Sequence, residues 1–264
     1  MLTCSPFVNA RLLSRLRFTP PQLYGRIAAV IKAVFFDFFN TLANYHPPRE
    51  QLQAAACREF GIEVEPHALR EALFAADLFY DEDIVHVPMS QRSEAEKMAL
   101  YARYEAKILE GVGVEASEEL ALKIMGKFGA LMREAGARFV LFDDVEPALA
   151  QLRSKGLKLG LISNIDRDLS STYDELGLSS SLDVLVTSLA VGAAKPDPAI
   201  FRTALERAGV DASEAIHVGD MYHSDVMGAR NAGIRPLLID RDGLHQEISD
   251  CPRISSLGEV VGYL

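Results

Sequence analysis

Asp37 and Asp220 each follow a strongly apolar run, and a Ser-Asn pair and a lysine stand between them in the chain. Ala33-Val34-Phe35-Phe36 leads into Asp37, with Thr41 in the turn beyond it. Ala215-Ile216-His217-Val218-Gly219 leads into Asp220, and Asp225 follows. Ser163-Asn164 closes a third apolar run, and Lys195 stands in Gly192-Ala193-Ala194-Lys195-Pro196-Asp197-Pro198. A carboxylate at the end of a buried parallel strand points into the crevice where open α/β sheets bind ligands. Two such carboxylates with a lysine can hold a divalent cation and attack a phosphorus or carbon centre. Taken singly, each residue has a plainer use. A strand-ending Asp forms a turn, a Ser or Thr caps a helix, and Asp225 caps the helix expected after it.

The elements that must position these groups alternate. Lys32–Phe38, Leu157–Ser163, Leu182–Thr187, Ile216–Gly219 and Arg235–Ile239 read as short buried strands. Helical segments separate them at 145–155, Asp168–Leu176, Pro198–Ala208 and Ser224–Ala232. Repeated strand–helix units imply right-handed crossovers and a doubly wound, mostly parallel α/β sheet. Residues 44–136 differ, because helical periodicity runs through Glu50–Phe60, Pro66–Phe79, Ser90–Leu109 and Glu118–Ala135. Gly61, Pro88, Gly111 and Gly113 break these helices from one another. The expected organisation is a core over 32–43 and 137–264, an all-helical insertion over 44–136, and a basic extension over 1–31.

Composition narrows the partners. The 264 residues are 49% hydrophobic and 24% charged, which suits a globular protein with a sizeable core. A net charge of −10 argues against nucleic acid or an anionic membrane as a partner. Cys4, Cys57 and Cys251 are scattered and lack metal-site or disulfide-framework spacing, so a reducing, cytoplasm-like compartment is expected. Arg11, Arg15, Arg17, Arg26 and Lys32 precede the first acidic residue, Asp37. That pattern leaves an organelle-targeting segment open beside a plain flexible extension. No apolar run reaches the roughly 18–20 residues of a membrane span.

With Asp37 and Thr41, Ser163-Asn164, Lys195-Pro196 and Gly219-Asp220 with Asp225 in this order around a helical insertion, the chain resembles the haloacid dehalogenase superfamily of hydrolases. It is similar to the branch with a helical cap between the first and second motifs, and the likeness runs from Lys32 to Asp242. The resemblance implies a Rossmann-like core and a nucleophilic Asp37. It implies that the Thr41 and Ser163 hydroxyls hold a phosphoryl group or orient the nucleophile, and that Asn164 extends this polar floor. Lys195 would offset the gathered negative charge. Asp37, Asp220, Asp225 and the backbone carbonyl of Phe39 would hold Mg²⁺. A closing cap excludes water and favours a small soluble substrate.

Phe39 departs from the pattern. Phosphatases of the superfamily carry there a second aspartate that protonates the leaving group, a contribution of about 10²–10⁴-fold. Haloacid dehalogenases have an aromatic residue at that position, need no metal, and lack the Gly-Asp of the last motif. Asn40 replaces a usual glycine and tolerates the left-handed backbone that glycine would supply. Two carboxylates facing Asp37 would repel it without a cation between them. The expected function is therefore a Mg²⁺-dependent phosphohydrolase acting through an aspartyl-phosphate on Asp37, with good leaving groups preferred. The alternatives are a metal-independent 2-haloacid dehalogenase-like hydrolase and a weakly active binding protein on the same scaffold. A third is phosphonate cleavage through an imine on Lys97, Lys107, Lys123 or Lys127. Tyr45, His46 and His223 are candidates for a replacement acid; Phe79, Tyr80, His86 and Arg92 of the insertion suit packing or surface roles as well as substrate contact, and the sequence does not choose among these.

Overall fold

The computed structural model describes residues 30–165 and 167–264. The basic extension expected over residues 1–31 lies, but for its last two positions, outside the described residues. From β1 (Ala33–Phe36) the chain turns through Asn40 into β2 (Ala43–His46). Helices α1 (Arg49–Arg58), α2 (Pro66–His86), α3 (Glu94–Gly111) and α4 (Glu118–Glu134) follow. β3 (Arg138–Leu141) and α5 (Val145–Ser154) return it to β4 (Lys158–Ser163). α6 (Ser170–Glu175) and α7 (Leu178–Ser181) precede β5 (Val184–Thr187), and α8 (Ser188–Val191) and α9 (Pro198–Ala208) precede β6 (Ala215–Gly219). A π-helical turn over Tyr222–Met227 runs into α10 (Gly228–Asn231), then β7 (Arg235–Ile239) and β8 (Arg253–Ile254).

Six of these strands form one parallel sheet in the order β5-β4-β1-β6-β7-β8. β1 is apolar and buried at every position, as a central strand covered on both faces must be. Its alternate side chains serve two cores. Val34 and Phe36 join Leu149 and Leu152 of α5, while Ala33 and Phe35 join Ile200, Phe201 and Ala204 of α9. The sheet is therefore doubly wound, as its strand–helix alternation predicts. Its order places β1, β4 and β6 side by side, so the polar residues following these strands emerge along one edge.

The four helices between β2 and β3 pack on one another through Leu69, Leu73, Ala76 and Ile108, and through Ala56, Leu109 and Ile124. Local signals set their starts. Pro66 occupies the first turn of α2, Ser93 and Glu96 form a reciprocal capping box at α3, and the Ser117 hydroxyl caps α4. α2 continues past the expected end at Phe79 to His86, because no breaker precedes Val87-Pro88. α3 begins at Glu94 rather than Ser90, since Met89–Gln91 forms a separate 3-10 turn.

Two further features depart from expectation. β2 and β3 pair antiparallel, Ala43 opposite Leu141 and His46 opposite Arg138, where the chain leaves and re-enters the sheet domain. Stacking of Tyr45 on Phe139, with ring centroids 4.5 Å apart, reinforces that ribbon. The single helix expected over Ser224–Ala232 is instead the π-helical turn followed by the short α10. Asp225 lies inside that turn and does not cap a helix. Among the described residues, no helix is long and apolar enough to cross a membrane.

Candidate active site

The register of the sheet gathers the site. Phe36 of β1 aligns with Val218 of β6, and the Asp37 amide extends the ladder by donating to the Val218 carbonyl at 2.9 Å. Asp37 and Asp220 consequently leave neighbouring strands at the same edge. The tight turn after Asp37 passes through Asn40 at φ 57°, the left-handed region in which Asn is among the best-tolerated non-glycine residues. Asp225 folds back from the π-helical turn to complete the group. Asp37, Asp220 and Asp225 each offer an oxygen within 4.8 Å of the others, and all three are buried. A Cβ on Gly219 would lie 2.1 Å from Cγ of Asp225, so that approach requires glycine.

Lys195 reaches the cluster from the loop before α9. Its Nζ donates to Oδ1 of Asp37 at 2.5 Å and to Oδ1 of Asp225 at 2.6 Å, and the residue is 4% exposed. The Asn164 amide fixes this loop: Nδ2 donates to the Lys195 carbonyl at 2.9 Å, and the Lys195 amide donates to Oδ1 at 2.6 Å. Asn164 thus spends its amide on the lysine's backbone, a different use from the expected polar floor. Thr41 Oγ1 faces Oδ1 of Asp220 at a long 3.5 Å. Ser163 is buried at the end of β4. His217, within β6, places Nε2 at 2.8 Å from Oδ1 of Asp225, and the Met221 amide donates to Oδ2 at 3.0 Å.

Three carboxylates share one ammonium, and their acidities reflect it. Burial works against the charge on Lys195, but Asp225 and Asp37 prevail and raise its pKa. Burial opposes charge on Asp225 too, yet Lys195 and His217 hold it below the usual carboxylate range. Burial pushes Asp37 up to about 6, with Lys195 opposing and Asp225 adding to the rise. Asp220 is raised well above its ordinary value, by burial first and then by the charges of Asp37, Asp225 and Asp77. The cluster therefore presents hard oxygen donors with more negative charge than its lysine neutralises. That is the chemistry of a site for a hard divalent cation.

A cavity of about 360 Å³ opens beside the cluster, lined by Asp37, Phe39, Asn164, Lys195 and Asp225 from the sheet side. Phe39 packs against Tyr45 and Phe139, and the Arg49 guanidinium stands 4.9 Å from its ring centroid. None of Tyr45, His46 and His223 lines this cavity. Of the expected contacts on the helices, Tyr80 lines it, whereas Arg92 bonds Asp83 and the Val87 carbonyl, and His86 is exposed. Lys97, Lys107, Lys123 and Lys127 pair with Glu94, Glu110, Glu119 and Glu59, and none of them reaches the cavity.

Sequence reasoning missed the opposite wall apart from Tyr80. Asp77, Tyr80, Asp81 and Ile84 of α2, with Tyr101 and Tyr104 of α3, cover the cavity from the helical side. The α2 residues recur at helical spacing on one face, and two carboxylates on a face that is otherwise turned inward were the available signal. Asp77 accepts from both terminal nitrogens of Arg49, at 3.1 and 2.5 Å, and from the Tyr104 hydroxyl at 2.6 Å. Asp81 is buried against Ser224, accepting from its amide at 3.3 Å and from its hydroxyl, and burial raises its pKa. This contact ties the helices to the turn that carries Asp225.

A family model described as haloacid dehalogenase-like hydrolase matches residues 31–233. The chain is 30% identical over 210 residues to the human haloacid dehalogenase-like hydrolase domain-containing protein 3, covering 79% of this chain and 82% of that protein. It is 32% identical over 253 residues to a phosphoserine phosphatase of Thermus thermophilus, covering 87% and 98%. The crystal structure of a 2-haloacid dehalogenase from Pseudomonas syringae is similar with a TM-score of 0.52 at 29% identity, covering 88% and 97%. With the parallel sheet, the buried carboxylates on its edge and a family match over most of its length, the chain belongs to the haloacid dehalogenase-like hydrolases.

Proposed function

We propose that the chain is a Mg²⁺-dependent phosphohydrolase acting on a small phosphorylated metabolite through an aspartyl-phosphate on Asp37. One observation carries the reading: three buried carboxylates converge within 4.8 Å with a single lysine between two of them. Asp37, Asp220 and Asp225, with the Phe39 carbonyl, are the groups that would hold the metal. Mg²⁺ bound there would supply charge neutralisation for a phosphoryl group. Asp37 attacks phosphorus, and the bond from phosphorus to the leaving oxygen breaks with its electron pair. Water then attacks phosphorus, the bond to the Asp37 oxygen breaks with its electron pair, and inorganic phosphate leaves carrying one proton of that water while the other passes to solvent. Lys195 keeps Asp37 ionised for the first step, His217 and the Met221 amide orient Asp225, and Asn164 sets the lysine's loop. Thr41 and Ser163 supply the hydroxyls at the floor.

Phe39 donates no proton, so the leaving group departs as an anion. Acyl and aryl phosphates, whose leaving groups carry negative charge readily, suit this site better than alkyl esters. The same residue is what favours a second reading, a metal-free 2-haloacid dehalogenase. Against it stand Asp220 and Asp225, which with Asp37 bring more negative charge than Lys195 alone offsets.

The test uses acetyl phosphate and para-nitrophenyl phosphate, with Mg²⁺ and with chelator, on the native protein and Asp37→Asn. We expect phosphate release that requires metal and falls roughly 10⁴-fold or more in Asp37→Asn. Halide release from 2-haloacids that persists in chelator, with no phosphate release from the folded native protein, would replace this reading with the second.

A further inference from the structure

We infer that the leaving group accepted by this cavity is aromatic or apolar and neutral or cationic, and that phosphomonoesters carrying a carboxylate are rejected. This rests on the phosphohydrolase reading and names the substrate class of the same site. The aromatic and apolar part of its lining is Phe39, Tyr80, Ile84, Tyr101, Tyr104 and Met221. A volume of about 360 Å³ is at the small end for ligand sites and suits one aryl group with its phosphate. Rings of this kind hold an aromatic leaving group by stacking and tolerate a cation on it.

The charges decide the rest. Among the described residues that line the cavity, the carboxylates are Asp37, Asp77, Asp81 and Asp225, and the cation is Lys195. Lys195 is committed, with Nζ held between Asp37 and Asp225 at 2.5 and 2.6 Å. Carboxylates are ordinarily recognised by the planar fork of an arginine. Arg49 stands beside this wall, 4.9 Å from the Phe39 ring centroid, but Asp77 occupies both arms of its fork. The protein thus supplies its own carboxylate where a substrate's would have to bind. Asp81 adds a further negative group, buried and bonded to Ser224. A second carboxylate entering with the phosphate would be stripped of water beside like charges and find no free cation.

The experiment compares kcat/KM in Mg²⁺ for phenyl phosphate, 4-(2-aminoethyl)phenyl phosphate, 4-carboxyphenyl phosphate and O-phosphoserine, with acetyl phosphate beside them. We expect 4-carboxyphenyl phosphate to fall at least tenfold below phenyl phosphate and the amino derivative to equal or exceed it. The carboxylate does not make the phenolate a poorer leaving group, so lower reactivity would not explain that deficit. O-Phosphoserine, alkyl and carboxylate-bearing, is expected to be the poorest. In Asp77→Asn the Arg49 fork is released, and the ratio of the carboxy to the parent substrate should rise at least tenfold. Arg49→Met added to Asp77→Asn should remove that gain. Reading a ratio within each variant cancels any loss of folded protein. Equal kcat/KM for the carboxy and parent substrates in the native enzyme, or an unchanged ratio in Asp77→Asn, would overturn the inference. Acetyl phosphate hydrolysis would leave the phosphohydrolase reading standing in that event; its absence would overturn that reading and this inference with it.

Discussion

The sheet edge and the helices that cover it handle buried charge in opposite ways. On the edge, Asp37 and Asp225 share Lys195, and Asp220 adds a third buried carboxylate. In the helices, Arg49 is matched to Asp77 with Tyr104 completing the triad. Matched charges hold a fold in register, whereas surplus charge that remains buried marks where something else must bind. The contrast can be broken by removing the cation from each region. Lys195→Met leaves Asp37 and Asp225 buried without their partner, at a cost of about 3–5 kcal/mol. In chelator this should lower Tm by roughly 6–20 °C, taking 2–4 °C per kcal/mol for a chain of this size. Mg²⁺ should restore more of the loss than it adds to the native protein, because it replaces the missing charge. Arg49→Met should also destabilise, but with no Mg²⁺ response of its own beyond that of the native chain. Equal recovery of both variants, followed by thermal melts, would erase the distinction between the regions.

The same contrast explains what could be read beforehand. β1 was legible because Ala33 to Phe36 are all apolar and a strand buried on both faces leaves that continuous pattern. Asp37 and Asp220 were legible as a pair for the same reason, since each follows such a strand. β2 and β3 were not, because two four-residue strands separated by the helical insertion announce their pairing in neither local pattern. The sequence predicts one helix over Ser224–Ala232, because the π-helical turn at Tyr222–Met227 has no spacing that a short sequence can reveal. His217 was invisible as a partner of Asp225, being one polar residue in an apolar strand. Asp77 and Asp81 were hidden more deeply. Acidic residues on a helix read as a solvated face, and it takes the packing of α2 over the sheet edge to show them lining a cavity.

A pH titration sharpens the comparison within the helices. Glu105 is buried, and burial pushes its pKa from 4.5 up to about 7. The folded state then binds this proton more tightly than the unfolded chain. Its stabilising contribution is present in full below 4.5 and is lost as pH rises through about 7. The whole effect is about 3 kcal/mol at most. Urea unfolding at about pH 5 and about pH 8 should show the native chain losing stability over that interval, and Glu105→Gln losing less by up to this amount. Asp37 and Asp220, also raised by burial, contribute a slope of the same sign. Saturating Mg²⁺ should remove their part and leave that of Glu105 and of Asp81, which burial also raises. A slope in Glu105→Gln as steep as the native one would mean that this carboxyl is wetter than its packing against Gln53 implies.

The smallest expected effect falls where the two regions touch. Phe39 ends the first strand's turn, yet its ring lies under Arg49 of the helices at 4.9 Å. Phe39→Asp places a carboxyl where the superfamily's phosphatases keep their acid, and turnover of alkyl phosphates should rise. A well-placed acid contributes about 10²–10⁴-fold, but here the new carboxyl meets a guanidinium that favours its ionised form. We therefore expect a gain of only about tenfold. Adding Arg49→Met removes that guanidinium and should enlarge the gain, with the rate rising toward lower pH as the acid form populates. Acyl phosphates, which need no proton, should respond to neither change. The ratio of alkyl to acyl turnover, followed across pH in the single and double variants, measures how far the helices govern the chemistry of the sheet edge. A ratio that stays flat in a folded double variant would show that the missing acid at Phe39 is not what limits this enzyme.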